Sequence, residues 1–263
     1  MPYIKLKKKV VIVWKQINKE RNKRKELLMI TEKDLENLPE PVKKWLISTG
    51  VLGKKRIKSV SLSQNGKMKL NPKQNKWYSS EGTQYIRVDE PEFKWNVKVS
   101  IAPFINVCGE DIFRIGKGDL KMSLFSLIPI VHVKDNEKTN ESSLSRFLLE
   151  LPWYPTAALE DYVEWESINN ESAFCNIKYK NLEANGTFHF DSEGNLLKVE
   201  SLRYKDNSTD AEKIPCIGEI KEIVGVDGIK IPSKIDVTWV TKGEKFTWYK
   251  TENFNFAFSY AVN

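Results

Sequence analysis

SLSRFLLELPWYPTAALEDYVEW, residues 143 to 165, is the one long helical and aromatic stretch in a chain that otherwise reads as strands. Leu144, Phe147, Leu148 and Leu151 recur at the i, i+3, i+4, i+7 spacing of one helical face, and Ser142 or Ser143 offers an oxygen to cap the free N–H groups at its start. Pro152 ends this helix. Trp153 and Tyr154 follow in an extended kink, because the residue before Pro155 is pushed out of helical geometry, and Pro155 opens a second short turn through Leu159. Burying four such side chains at about 1.5–3 kcal/mol each amounts to roughly the net stability of a whole domain. The spacing therefore predicts a helical segment, over about residues 142 to 160, held against a sheet.

The sheet is read on both sides of it. Phe93, Trp95, Val97, Val99 and Ile101 alternate with Lys94, Asn96, Lys98 and Ser100, one dry face and one wet, as in an antiparallel sheet covered on a single side. Residues 56 to 71 read as a hairpin turning at Asn65-Gly66. Further strands are expected at 112 to 125 (turning at 116 to 119), 128 to 133, 163 to 167, 174 to 179, 182 to 190, 196 to 204, 217 to 224 and 229 to 232, then where Ile235, Val237 and Trp239 alternate with Asp236 and Thr238, and at 246 to 258. Ahead of them, Thr31 with Asp34 forms a capping box; Val42, Trp45 and Leu46 share one face of a helix that Pro41 opens and Gly50 closes. The expectation is a mainly β fold: a strongly curved antiparallel sheet, or half-barrel, wrapped against a central helix. One domain is expected over residues 31 to 263, with helices at about 31 to 49 and 142 to 160.

Charge divides the chain differently. Residues 1 to 30 hold ten Lys or Arg against two Glu, leaving 32 against 33 for the rest, so the body is nearly neutral and a nucleic-acid-binding face is not expected. The apolar run from Val10 to Trp14 is too short for a signal peptide or a membrane span, and the basic leader is read as a solvated arm with a peripheral contact to anionic lipid as its sharper alternative. Three irregularly spaced cysteines, Cys108, Cys175 and Cys216, fit a reducing, cytoplasmic compartment better than a disulfide framework. No paired His/Cys spacing indicates zinc, Gly116-Lys117-Gly118 lacks the spacing of a phosphate loop, and no Gly-x-Ser-x-Gly elbow occurs; no metal or cofactor is expected.

Three stretches carry a resemblance: LPEPVKKWLISTG (38 to 50), LPWYPTAAL (151 to 159) and VDGIKIPSKIDVTW (226 to 239) resemble those of a family of uncharacterised bacterial proteins, often with a membrane segment ahead of the domain. The closing pattern, a VDG turn, an IPSKI strand and a last pair of strands ending in FNF, is similar to the lipoprotein-carrier half-barrels of LolA-like fold. That resemblance implies a bent sheet that shelters acyl chains between its concave face and helices. This chain departs from both in lacking a complete membrane segment, and it has no export signal or lipobox.

The residues then suggest a binding cavity for an apolar or lipid-like ligand, lined by Trp95, Met122, Phe125, Phe147, Leu151, Trp153, Tyr154, Trp239 and Trp248. Plain core packing of the same aromatics, giving a solid interaction scaffold, is the simpler alternative. A small hydrolase or isomerase is the other: Glu150, Glu160, Asp161 and Glu164 gather near the kink, and two carboxylates facing one pocket can divide the acid and base roles. His132 and His189 read as strand residues rather than ligands, and Cys175 as a buried structural thiol.

Overall fold

The computed structural model describes residues 29 to 73 and 75 to 260, without the side chains of Asn253 and Phe254. Nearly all of the basic leader, and with it the expected lipid contact, lies outside the described residues. The chain opens with a short turn of helix, α1 (Glu32–Leu35), at which the Asp34 carboxylate accepts from the backbone N–H and hydroxyl of Thr31. Helix α2 (Glu40–Thr49) follows, burying Val42, Trp45 and Leu46 and ending on Gly50 in the left-handed region.

The rest is a single 13-stranded antiparallel sheet interrupted once. Six strands come first: β1 (Ile57–Met68), β2 (Tyr78–Arg87), β3 (Glu92–Ala102), β4 (Ile105–Arg114), β5 (Lys117–Leu124) and β6 (Ile128–Lys134). Seven follow the interruption: β7 (Val163–Asn169), β8 (Ser172–Tyr179), β9 (Leu182–Phe190), β10 (Leu196–Tyr204), β11 (Lys213–Val226), β12 (Ile229–Thr241) and β13 (Glu244–Tyr260). The spatial order is β6-β5-β4-β3-β2-β1-β13-β12-β11-β10-β9-β8-β7, so two meanders are joined at the centre by β1 against β13, and β6 and β7 are the outer edges. The sheet curls into a half-barrel. A sheet this wide curls because strand twist accumulates across it.

The interruption bridges the two edges across the concave face. It consists of α3 (Glu137–Glu150) and two 3-10 turns, Leu151–Trp153 and Pro155–Leu159. Leu144, Phe147, Leu148 and Leu151 are all fully buried, as their spacing predicts. The crossing is tied down by polar contacts to several elements. Thr156 Oγ1 accepts from Ile57 N–H at the start of β1, Arg56 donates to Leu159 O at 2.6 Å, and Trp165 Nε1 donates to Ala158 O at 3.0 Å. Trp45 of α2 packs against Trp165, Phe188 and Phe190 of the second meander.

Two expectations are corrected. The helix starts earlier than Ser142, at Glu137, and its cap is Asn136, whose Oδ1 accepts from Thr139 N–H; the first two turns carry too little apolar periodicity to show in sequence. Asn65-Gly66 is not a turn. β1 runs straight through it, paired on both sides, and the ladder to β13 is bulged between the two residues. Gly66 is required there because a Cβ would land on the Lys250 carbonyl and the Tyr249 ring. The Asn-Gly signature is local, whereas this glycine answers a strand far along the chain. Two-residue hairpins with both residues at positive φ occur instead at Ile115-Gly116, beside the turn expected over residues 116 to 119, at Asp227-Gly228 and at Lys242-Gly243.

Gly66→Ala should therefore lower stability by about 1–3 kcal/mol through overpacking, while Asn65→Ala, on the exposed side of the same bulge, should stay within about 0.5 kcal/mol. Urea denaturation checks both; equal effects would show that Gly66 is not under steric constraint.

Candidate functional site

The concave face is filled unevenly. One large cluster, centred on Phe147, Leu148, Tyr154 and Phe188 and extended by α2, packs solidly. A second, smaller cluster of Met68, Trp95, Val97, Val99 and Tyr249 lies apart from it on β1, β3 and β13. Between this second cluster, the facing strands β10 to β12 and the flank of α3 is a cavity of about 380 Å³. Its wall is mainly apolar. A shallower depression of about 680 Å³, reached by the outward residues Ser63, Asn65, Glu81 and Thr83, is more polar and more open to solvent.

Two inward strand positions on the wall of this space carry no side chain. Gly109 on β4 sits between Val97 of β3 and Met122 of β5, and Gly218 on β11 sits between Val199 of β10 and Val237 of β12. A Cβ added at Gly218 would meet nothing nearer than Ile235 Cγ2, at 3.8 Å. Protein interiors pack as densely as organic crystals, so an inward position left open, as at Gly218, stands out.

One polar cluster stands in the apolar wall. Arg146 donates from Nη1 to Asp111 Oδ2 at 2.8 Å, from Nε to Glu150 Oε1 at 2.8 Å and from Nη2 to Gln84 Oε1 at 3.3 Å; Gln84 Nε2 donates to Glu150 Oε2 at 2.6 Å. The guanidinium also lies over Phe93 and Trp95, 4.8 and 4.6 Å from their ring centroids. Burial works against its charge, but Glu150 and Asp111 outweigh that and hold it protonated above the ordinary arginine value. Next to it, Gln64 Oε1 accepts from Trp95 Nε1 at 3.2 Å and from the Tyr249 hydroxyl at 3.3 Å.

Of the nine residues expected to line a pocket, Trp95, Met122, Trp153, Trp239 and Trp248 are on the cavity wall. The other four are elsewhere. Phe147, Leu151 and Tyr154 are fully buried in the large cluster, and the Tyr154 hydroxyl donates to Phe147 O at 2.6 Å. Their helical face points into the sheet, and it is the adjacent face, with Arg146, Leu149 and Glu150, that meets the cavity. Phe125 lies in the β5–β6 turn with a positive φ and is 44% exposed.

The four carboxylates do not converge. Glu150 alone meets the cavity, with both oxygens occupied. Glu160 pairs with Arg56 at 3.4 Å, and burial pushes its pKa up despite that partner. Glu164 is exposed and holds Lys178 at 2.7 Å, which lowers its pKa; Asp161 is exposed. His189 and His132 contact Glu200 and Asp119. Among the described residues no group of His, Cys, Asp and Glu is placed to hold a metal, and no helix is long and apolar enough to cross a membrane.

Sequence reasoning missed Arg146, Gln64, Gly109 and Gly218. Signals for them exist: Arg146 and Glu150 have i, i+4 spacing, and each glycine replaces an apolar residue at an inward position of an alternating strand. Compared with known proteins, residues 36–258 match the model of a family of unknown function, DUF6920, and the chain belongs to that family. No curated protein matches it.

Arg146→Met leaves two largely buried carboxylates without their cation and should cost about 3–5 kcal/mol in urea denaturation. Adding Asp111→Asn and Glu150→Gln should recover much of it; no recovery would mean that Arg146 acts through packing alone. Glu160 gives a pH test. Its folded pKa lies above the unfolded one, so its stabilising contribution is present at low pH and is lost as pH rises through the folded value. Thermal unfolding between about pH 4 and 7 should show wild type losing stability relative to Glu160→Gln as pH climbs.

Proposed function

We propose that this member of the family holds an apolar or lipid-like molecule between the concave face of its sheet and α3, without acting on it chemically. The observation that carries this reading is the cavity of about 380 Å³, walled by Trp95, Val97, Val99, Trp153 and Trp239. Small-molecule sites span about 300–1,000 Å³ and share this make-up of apolar walls with a few fixed polar groups. A solid scaffold has no use for glycine at inward position 218, where a Cβ meets nothing closer than 3.8 Å and an apolar side chain would add burial.

The likeness of the VDG, IPSKI and FNF elements to lipoprotein-carrier half-barrels supports the same reading, since those proteins shelter acyl chains against a bent sheet. The charge of residues 1 to 30 supports a peripheral contact with an anionic membrane surface, from which such a ligand could be taken.

Native mass spectrometry of the gently purified full chain should show an adduct that organic extraction removes. Gly218→Leu, which fills the space from a position with room for a Cβ, should lose the adduct while keeping its unfolding free energy in urea within about 1 kcal/mol of wild type. A full-strength adduct in Gly218→Leu would place the ligand elsewhere, and a bare mass together with no uptake of an apolar fluorophore would end the proposal.

A further inference from the structure

We propose that the molecule held in this cavity is a single-chain amphiphile whose head is an anion, a carboxylate or a phosphate; the inference rests on the cavity being a ligand site. Two sets of groups on the wall point the same way. The first is the hydrogen-bonding balance. Gln64 is 2% exposed, and because the indole N–H of Trp95 can only donate, the amide oxygen must face it. That leaves Gln64 Nε2 with no acceptor among the described residues, and Trp248 Nε1 is in the same position. Both residues line the cavity and both unpaired groups are donors, though the two nitrogens are themselves covered and a side-chain shift must uncover them to a ligand. A buried donor without an acceptor carries an energetic penalty that an acceptor reaching it relieves.

The second is charge. Four cations, Lys69, Arg146, Arg203 and Lys205, share the lining with two carboxylates, Asp111 and Glu150. Arg146 takes both carboxylates. The other three have no carboxylate within ion-pair distance among the described residues, and each lies over an aromatic ring: Lys69 at 4.9 Å from Trp77, Arg203 at 5.3 Å from Trp239 and Lys205 at 5.6 Å from Phe246. Arg203 is half-buried and donates Nε–H to Ser142 Oγ at 3.1 Å, so one edge is fixed while its Nη groups keep no charged partner. A guanidinium held this way matches the two oxygens of a carboxylate or phosphate. Size limits the apolar part. At roughly 30 Å³ for a group the size of water or a methylene, the cavity admits on the order of a dozen such groups, one short chain rather than two.

Tryptophan fluorescence of the full chain reports binding directly, since Trp95, Trp153, Trp239 and Trp248 line the space. The probes are dodecanoate, dodecyl phosphate, dodecanol and dodecyltrimethylammonium, each below its micelle threshold, and inorganic phosphate alone. Both anionic amphiphiles should bind about tenfold or more tighter than the alcohol, with the ammonium weakest and inorganic phosphate not competing. Arg203→Gln with Lys205→Gln should bring the anions down to the alcohol. Equal affinity for alcohol or ammonium in the wild type would overturn the anionic head while leaving the cavity as a ligand site. Competition by inorganic phosphate at matching concentration would overturn the amphiphile, and failure of all four amphiphiles would remove the cavity reading itself. The comparison of heads uses only the wild-type chain, so it decides the matter even if the double variant does not fold. A preference between carboxylate and phosphate separates a fatty-acid source from a phospholipid one.

Discussion

Everything in this molecule depends on covering one face of a sheet that is too wide to stay flat and is not closed into a barrel. Thirteen antiparallel strands present an apolar inner surface that must be buried, and among the described residues no second sheet is available to bury it. The solution is topological: the chain leaves the sheet at one edge, β6, crosses the concave face as α3 and two 3-10 turns, and re-enters at the other edge, β7. The crossing fills the groove unevenly. Where Leu144, Phe147, Leu148 and Leu151 reach the sheet, the interior is dense; where only the flank of α3 faces it, a hollow remains.

The Arg146 cluster is the polar counterpart of that seat. A guanidinium sandwiched against Phe93 and Trp95 and held by two carboxylates fixes the helix relative to β3 and β4 in rotation as well as in height. Apolar contacts alone tolerate small slips, because dispersion changes little over fractions of an ångström, whereas three directed bonds to one planar group do not. Buried ion pairs add little net stability when compared with apolar replacements, but they do specify one arrangement, and here the arrangement keeps the space beside Trp95 open.

What could be read from sequence followed how local the cause was. The alternation from Phe93 to Val99 and the helical face from Leu144 to Leu151 are set by neighbours a few residues away, and both stand in the structure as the pattern predicts. The start of α3 did not show because Lys138, Thr139, Asn140 and Glu141 have no apolar rhythm, although Asn136 is an ordinary cap. Gly66 misled because its partner, Lys250, belongs to β13. The candidate site was half legible for a related reason. Strong periodicity marks residues that fill space, so it led to Phe147, Leu151 and Tyr154, which are core; the cavity wall includes positions without a side chain, Gly109 and Gly218, and polar groups off the apolar stripe.

The seam between β1 and β13 has a consequence for how the chain is born. Ser59 and Ser259, 200 residues apart, touch across it. During synthesis the first meander can assemble on the ribosome, but its long inner strand β1 must wait with one side bare until β13, the last of the thirteen, emerges. An unpaired strand of that length invites wrong partners, including other nascent copies. The first and last strands of the finished sheet are therefore neighbours, and β1 keeps an open hydrogen-bonding edge for the interval between their appearances.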